Sequence, residues 1–211
     1  MRARGHAESA KQLLDDTEDA CRFVLRQTGA DRVHLVGVSW GGKLLAAFLA
    51  TRQVSYASSL TLVAPGIAPR VDVGARVKLS VAICLLLRPR QMFDIPLNDP
   101  ALFTDNEEMR RYIREDAFRL HRATARFLLA SRRLDAMLRS SPEGVLKTPT
   151  TLLLAERDRI IDVSATRSVV ERLTAGRAAI REFDAAHTLE FEPDPKPFFD
   201  ALAAAMERGE D

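Results

Sequence analysis

The residues richest in chemical potential are Gly37-Val38-Ser39-Trp40-Gly41-Gly42, a G-x-S-x-G pattern. It stands between the apolar run from Arg32 to Val38 and the apolar stretch KLLAAFLA, so the spacing predicts a strand turning into a helix at the serine. A serine at such a turn adopts a strained backbone that small neighbours at Gly37 and Gly41 permit, and its hydroxyl stands clear of the sheet. The N–H of Trp40, at the helix start, can point at a developing oxyanion. The plainer reading is a tight turn whose glycines, Gly42 among them, serve only strand–helix packing.

A serine hydroxyl becomes a useful nucleophile when a base takes its proton and an acid orients that base. The chain offers four histidines. His6 lies near an unanchored start, His34 falls inside a strand as a satisfied core residue, and His121 belongs to a helical segment and is expected to be partly solvated. His187, in FDAAHTLEFEPD, directly follows a strand and so falls at the carboxyl edge of a sheet. For the acid, AERDRIID supplies Asp158 and Asp162. Asp162 precedes a helix and is accounted for as its N-cap. Asp158 has no such structural role. The order Ser39, Asp158, His187 is that of a serine nucleophile-elbow hydrolase, each residue following a different strand at one sheet edge.

The elements that must position these residues follow from periodicity. Leu13, Leu14, Thr17, Cys21, Val24 and Leu25 predict a helix from about His6 to Thr28, with Gly29 as C-cap. Four strands are expected, at Arg32–Val38, Ser59–Pro65, Thr150–Glu156 and Ala179–Asp184, the first buried on both faces. KLLAAFLA reads as a buried helix, Val163 to Leu173 as another, and a last one from near Pro197 is expected to bury Phe198, Phe199, Leu202 and Met206. Alternating strands and helices imply an α/β fold with a mostly parallel sheet.

The segment from about Ala68 to Val145 breaks that rhythm, with no good strand. One helical pattern follows the capping-box spacing Thr104-Asp-Asn-Glu107 and carries Met109, Ile113, Ala117 and Leu120. A second carries Phe127, Leu128, Ser131, Leu134 and Leu138. The expected organisation is thus a core part at 1–67 with the elbow, a helical cap at 68–145, and a core part at 146–211 with the acid and the histidine.

Composition closes off other classes. At 211 residues, with 46% apolar and 28% charged, the chain reads as one globular unit. A net charge of +2 gives no basis for a nucleic-acid partner. Cys21 and Cys84 form neither a disulfide framework nor a metal pair, which points to a reducing, cytoplasmic setting. The start lacks an apolar signal core. No metal-ligand spacing occurs, and no cofactor is implied. Gly37-x-x-x-x-Gly42-Lys43 nearly matches a phosphate-binding loop, but Leu44 replaces the hydroxyl that would hold magnesium.

GVSWGG, LLLAERDRIID and FDAAHTLEFE resemble the three catalytic blocks of the α/β-hydrolase superfamily, within it the monoacylglycerol lipase and lysophospholipase-like branch, the serine aminopeptidase (S33) group. PLNDPALFTDNEE and TARFLLASRRLD resemble its cap, less specifically. The resemblance implies Ser39 as nucleophile, Asp158 as triad acid, His187 as general base and Trp40 as one oxyanion donor. It also implies about four strands before the first helix and a loop giving a second oxyanion N–H. Here RGHAES resembles sequence found after the fourth strand. The chain is therefore expected to begin just past it, as a fragment or a minimal hydrolase, with the Arg32–Val38 strand offering an open edge for a homodimer.

Two function classes follow. The first is a carboxylic ester hydrolase acting on small-molecule or lipid esters. The second is a shortened hydrolase fold serving as a binding module. Val77–Leu87, flanked by Arg76 and Arg88, reads either as a buried cap helix or as a surface for lipid contact.

Overall fold

The computed structural model describes residues 4–208. The chain runs α1 (Ala10–Thr28), β1 (Val33–Val38), α2 (Trp40–Thr51), β2 (Ala57–Val63), α3 (Ala75–Leu87), β3 (Met92–Asp94), α4 (Glu107–Glu115), β4 (Arg122–Thr124), α5 (Ala125–Ser140), β5 (Thr150–Ala155), α6 (Val163–Thr174), β6 (Ala179–Phe183) and α7 (Lys196–Glu207). β1, β2, β5 and β6 form one parallel sheet in the order β1-β2-β5-β6, flanked by helices. This is the α/β class that the alternation of strands and helices predicts.

Burial follows position in the sheet. Every residue of β2 and β5 is buried, as continuous Val/Leu/Thr runs require of central parallel strands. β1 is an edge strand, and Val36 and Val38 remain 39% and 44% exposed. The expectation of burial on both faces therefore fails for β1. Apolar composition is the same for a strand that is covered and for one that is not. β6, with Arg181 and Glu182, is the other edge.

The helices form for local reasons. Ser9 caps α1 by accepting from the N–H of Gln12, and Gly29 ends it at φ 70°. That cap places the helix start four residues after the predicted His6. Asp162 caps α6, as its spacing predicts, by accepting from the N–H of Ala165. α7 buries Phe198, Ala201 and Ala205, while Phe199 and Met206 lie outside the core at 49% and 39% exposure.

Between β2 and β5 the structure departs most from expectation. β3 and β4 pair antiparallel there, too short at three residues each to leave a period-two pattern. α4 is capped by Asn106, not Thr104, and ends at Glu115, so Ala117 and Leu120 fall outside it. The Thr104 hydroxyl instead accepts from the N–H of Asn106. α3 buries no side chain, with Leu79, Ile83, Leu86 and Leu87 exposed, against the reading of a buried helix. Among the described residues no helix is long and apolar enough to cross a membrane.

The start of the described chain is tied down. His6 Nδ1 lies 2.9 Å from the hydroxyl of Thr124 and Nε2 lies 2.9 Å from Glu8. Its bond to His6, with Arg90 and Arg126 adding to it, holds Glu8 at a pKa of about 2. The unanchored start predicted for His6 is thus corrected. His34 meets Ser59 Oγ at 2.8 Å and His121 meets Asn98 at 3.2 Å.

Candidate active site

Parallel strands deliver their following loops to one edge, and three of those loops meet here. β1 ends at Val38 and α2 starts at Trp40, leaving Ser39 alone in the turn at φ 50° and ψ −119°. A β-carbon disfavours that conformation. Ser39 is held in it because its carbonyl accepts N–H groups from Gly42 at 3.0 Å and Gly66 at 2.8 Å.

The close approach depends on two glycines. A β-carbon at Gly37 would stand 2.6 Å from the Gly42 Cα, and one at Gly42 would stand 2.7 Å from the Pro65 Cβ. At Gly41 a β-carbon would meet nothing within 4 Å. The small residues that the turn needs are therefore Gly37 and Gly42. Gly41 does not have the steric role expected of it.

His187 follows β6 and is 2% exposed. Its Nε2 lies 2.8 Å from Ser39 Oγ, and its Nδ1 lies 2.7 Å from Asp158 Oδ2. Asp158, 3% exposed, follows β5. Its other oxygen accepts from the N–H of Ile160 at 2.7 Å and of Ile161 at 3.0 Å. Those two donors fix the carboxylate, leaving Oδ2 to hold the imidazole N–H. Asp162 stays at its helix cap, as its spacing predicts. The structure thus brings Ser39, His187 and Asp158 into one hydrogen-bonded line, with the Trp40 N–H at the first position of α2.

Other residues support this line without an advance signal in the sequence. Phe103 stands edge-on to the His187 ring at 6.1 Å, and its carbonyl accepts from the N–H of Thr188. Glu192 accepts from the N–H of Ala186 at 2.7 Å, steadying the histidine loop. Asp105, from the segment between β2 and β5, pairs with Arg157 and, at 2.8 Å, with Arg159 on either side of Asp158. Arg157 in turn pairs with Asp184 at 2.6 Å, just before the histidine loop. The Arg159 guanidinium beside Asp105 holds its carboxyl below the usual carboxylate range. These ionic partners are far apart in sequence, so no local pattern reveals them. No group of three or more His, Cys, Asp or Glu among the described residues is arranged to hold a metal.

Residues 2–194 match the family model described as serine aminopeptidase, S33. The chain belongs to this family. It shares its fold with solved lipases. A monoacylglycerol lipase of Paleococcus ferrophilus superposes with a TM-score of 0.82 at 19% identity, over 97% of this chain and 77% of that one. A soluble variant of monoglyceride lipase from Saccharomyces cerevisiae, in complex with a substrate analogue, gives 0.80 at 14% identity, over 99% and 73%. An esterase of Exiguobacterium antarcticum gives 0.66 at 17%, over 97% and 76%. No curated protein matches the sequence significantly.

Proposed function

We propose that this S33-family chain is a serine hydrolase of carboxylic esters, with Ser39 as nucleophile, His187 as general base and Asp158 as the acid that fixes the imidazole. The observation that carries this reading is the unbroken hydrogen-bond line from Ser39 Oγ through His187 to Asp158. Asp158 keeps the Nδ1 proton in place, so Nε2 presents a lone pair to the serine hydroxyl. Ser39 attacks the ester carbonyl as His187 takes its proton, and the imidazolium then protonates the leaving alcohol. The Trp40 N–H stabilises the oxyanion. Water, activated by His187, releases the acid from the acyl-enzyme.

We assign residues 68–145 as a cap and the acyl group as medium or long. A cavity of about 430 Å3 supports this: Val81, Ala82, Leu85, Ile95, Leu128 and Leu129 are among its walls, and Lys43 of α2, rather than Ser39 or His187, is where it meets the elbow. The outer face of α3, with Leu86 and Leu87 at 86% and 76% exposure and Arg88 at its end, is the surface we assign to lipid contact. The lipase names of the structural relatives point the same way.

A fluorophosphonate probe tests the chemistry. Labelling is expected in the parent protein and absent in Ser39→Ala. A folded parent that resists the probe refutes the hydrolase reading and favours the binding module. A p-nitrophenyl decanoate turnover no greater than that of the acetate removes the acyl-chain assignment. Leu86→Asp is expected to weaken sedimentation with phospholipid vesicles, and unchanged sedimentation removes the assignment of lipid contact to α3.

A further inference from the structure

Lys43 is the residue that gives the elbow its near-match to a phosphate-binding loop, yet its ammonium is already held by side chains of α5. It is 5% exposed, with Nζ 2.8 Å from Asp135 Oδ1 on α5. Nζ also donates to Ser131 Oγ at 3.2 Å. The same hydroxyl accepts the indole N–H of Trp40 at 3.0 Å, and the Trp40 ring packs on Phe127 with centroids 5.0 Å apart. The first turn of α2, which carries the nucleophile's neighbour, is therefore fastened to α5 through one polar node.

Stability alone does not account for a buried pair of this kind. Taking both charges out of water costs several kcal/mol per ion, and apolar replacements of similar volume are often neutral or stabilising. The node has a second neighbour. Lys43, Ser131 and Asp135 line the same 430 Å3 cavity as Leu128, Val81 and Leu85. Whatever fills that cavity presses on the α5 face to which Trp40 is tied.

We propose that Ser131, Lys43 and Asp135 are positioning residues that aim the Trp40 N–H at the oxyanion, and that an aliphatic chain in the adjoining cavity tightens their hold. This rests on the assignment of Trp40 as oxyanion donor. The node acts through Trp40 and touches no reacting atom. Loosening it costs less than the roughly hundredfold loss expected for a 1 Å misplacement, so a kcat loss of about tenfold is expected.

Trp40 is the only tryptophan in the chain, so its fluorescence reports on this node directly. Ser131→Ala is expected to lower kcat about tenfold with little change in KM, and to shift the indole emission. Ser131→Thr, which restores the hydroxyl, is expected to recover both. The double variant Lys43→Met/Asp135→Leu tests the pair without leaving a lone buried charge, and is expected to keep its Tm while losing kcat. Decan-1-ol titrated into Ser39→Ala protein is expected to shift the emission, and to leave it unmoved in Ser39→Ala/Ser131→Ala. Unchanged kcat in both Ser131→Ala and the double variant overturns the proposal. So does an emission that ignores decan-1-ol in Ser39→Ala. The emission arm needs no turnover, so failure of the ester reading shows separately, as a folded parent that neither takes the fluorophosphonate label nor hydrolyses p-nitrophenyl decanoate.

Discussion

Replacing Asp158 by asparagine isolates what the carboxylate does for the histidine. The substitution keeps shape and removes charge. The amide oxygen can go on accepting from Ile160 and Ile161, whose N–H groups lie 2.7 and 3.0 Å from Oδ1. Turning the amide round would set its NH2 against both donors, leaving two buried N–H groups unpaired at about 1–3 kcal/mol each. The NH2 therefore faces His187 Nδ1, at the 2.7 Å now held by Oδ2. A donor there requires a lone pair on Nδ1 and sends the single ring proton to Nε2. Nε2, 2.8 Å from Ser39 Oγ, then offers a proton where the proposed mechanism needs one removed. A wrong tautomer costs about 10⁴ in kcat, or roughly 5 kcal/mol of barrier. The assay is turnover of p-nitrophenyl decanoate, with thermal unfolding alongside. Asp162→Ala is the control, losing a helix cap worth about 1 kcal/mol with kcat unchanged. A folded Asp158→Asn protein within tenfold of the parent rate would refute the reasoning, as would an equal loss in Asp162→Ala.

Two further expectations concern the frame. Gly42→Ala forces a β-carbon to 2.7 Å from Pro65 Cβ and 2.9 Å from the Gly37 carbonyl, so it should cost about 1–3 kcal/mol in urea unfolding. Gly41→Ala meets open space within a helix and should leave stability equal or slightly higher; a reversed order of the two would contradict the packing described. Asp105 has its carboxyl pKa lowered by Arg159, Arg157 and Arg110. A lowered folded value means that its contribution is full above the ordinary carboxylate range and is lost as pH falls through that range and below it. Melting temperature should therefore drop on acidification below about pH 4, and less steeply in Asp105→Asn, in scans at low salt.

The legible parts of the molecule were those written in contiguous residues. β2 and β5 are visible as short uncharged runs rich in Leu, Val and Thr, and the turn at Ser39 because strand-type and helix-type patterns abut there. The loop bearing Asp158 is placed because it follows such a run, and that bearing His187 because it follows the shorter strand pattern of β6. Coverage was not legible. The composition of α3, of β1 and of Phe199 and Met206 says that they are apolar, but not whether anything packs on them. Nor was pairing at a distance. The anchoring of His6, the Asp105 ion pairs and the Ser131 node join residues tens of positions apart, each unremarkable in its own stretch. Asn106 displaced Thr104 as cap because both are good N-caps two residues apart, and the tertiary path of the chain chose between them.

The backbone of Ser39 carries an implication for how such a protein ages under mutation. A glycine would adopt φ 50° without penalty, whereas serine keeps a conformation costing on the order of 1 kcal/mol or more. The least comfortable residue of the turn is thus the one that the proposed chemistry cannot give up. Drift toward a sturdier chain runs downhill through loss of the hydroxyl, and only selection for turnover stands against it.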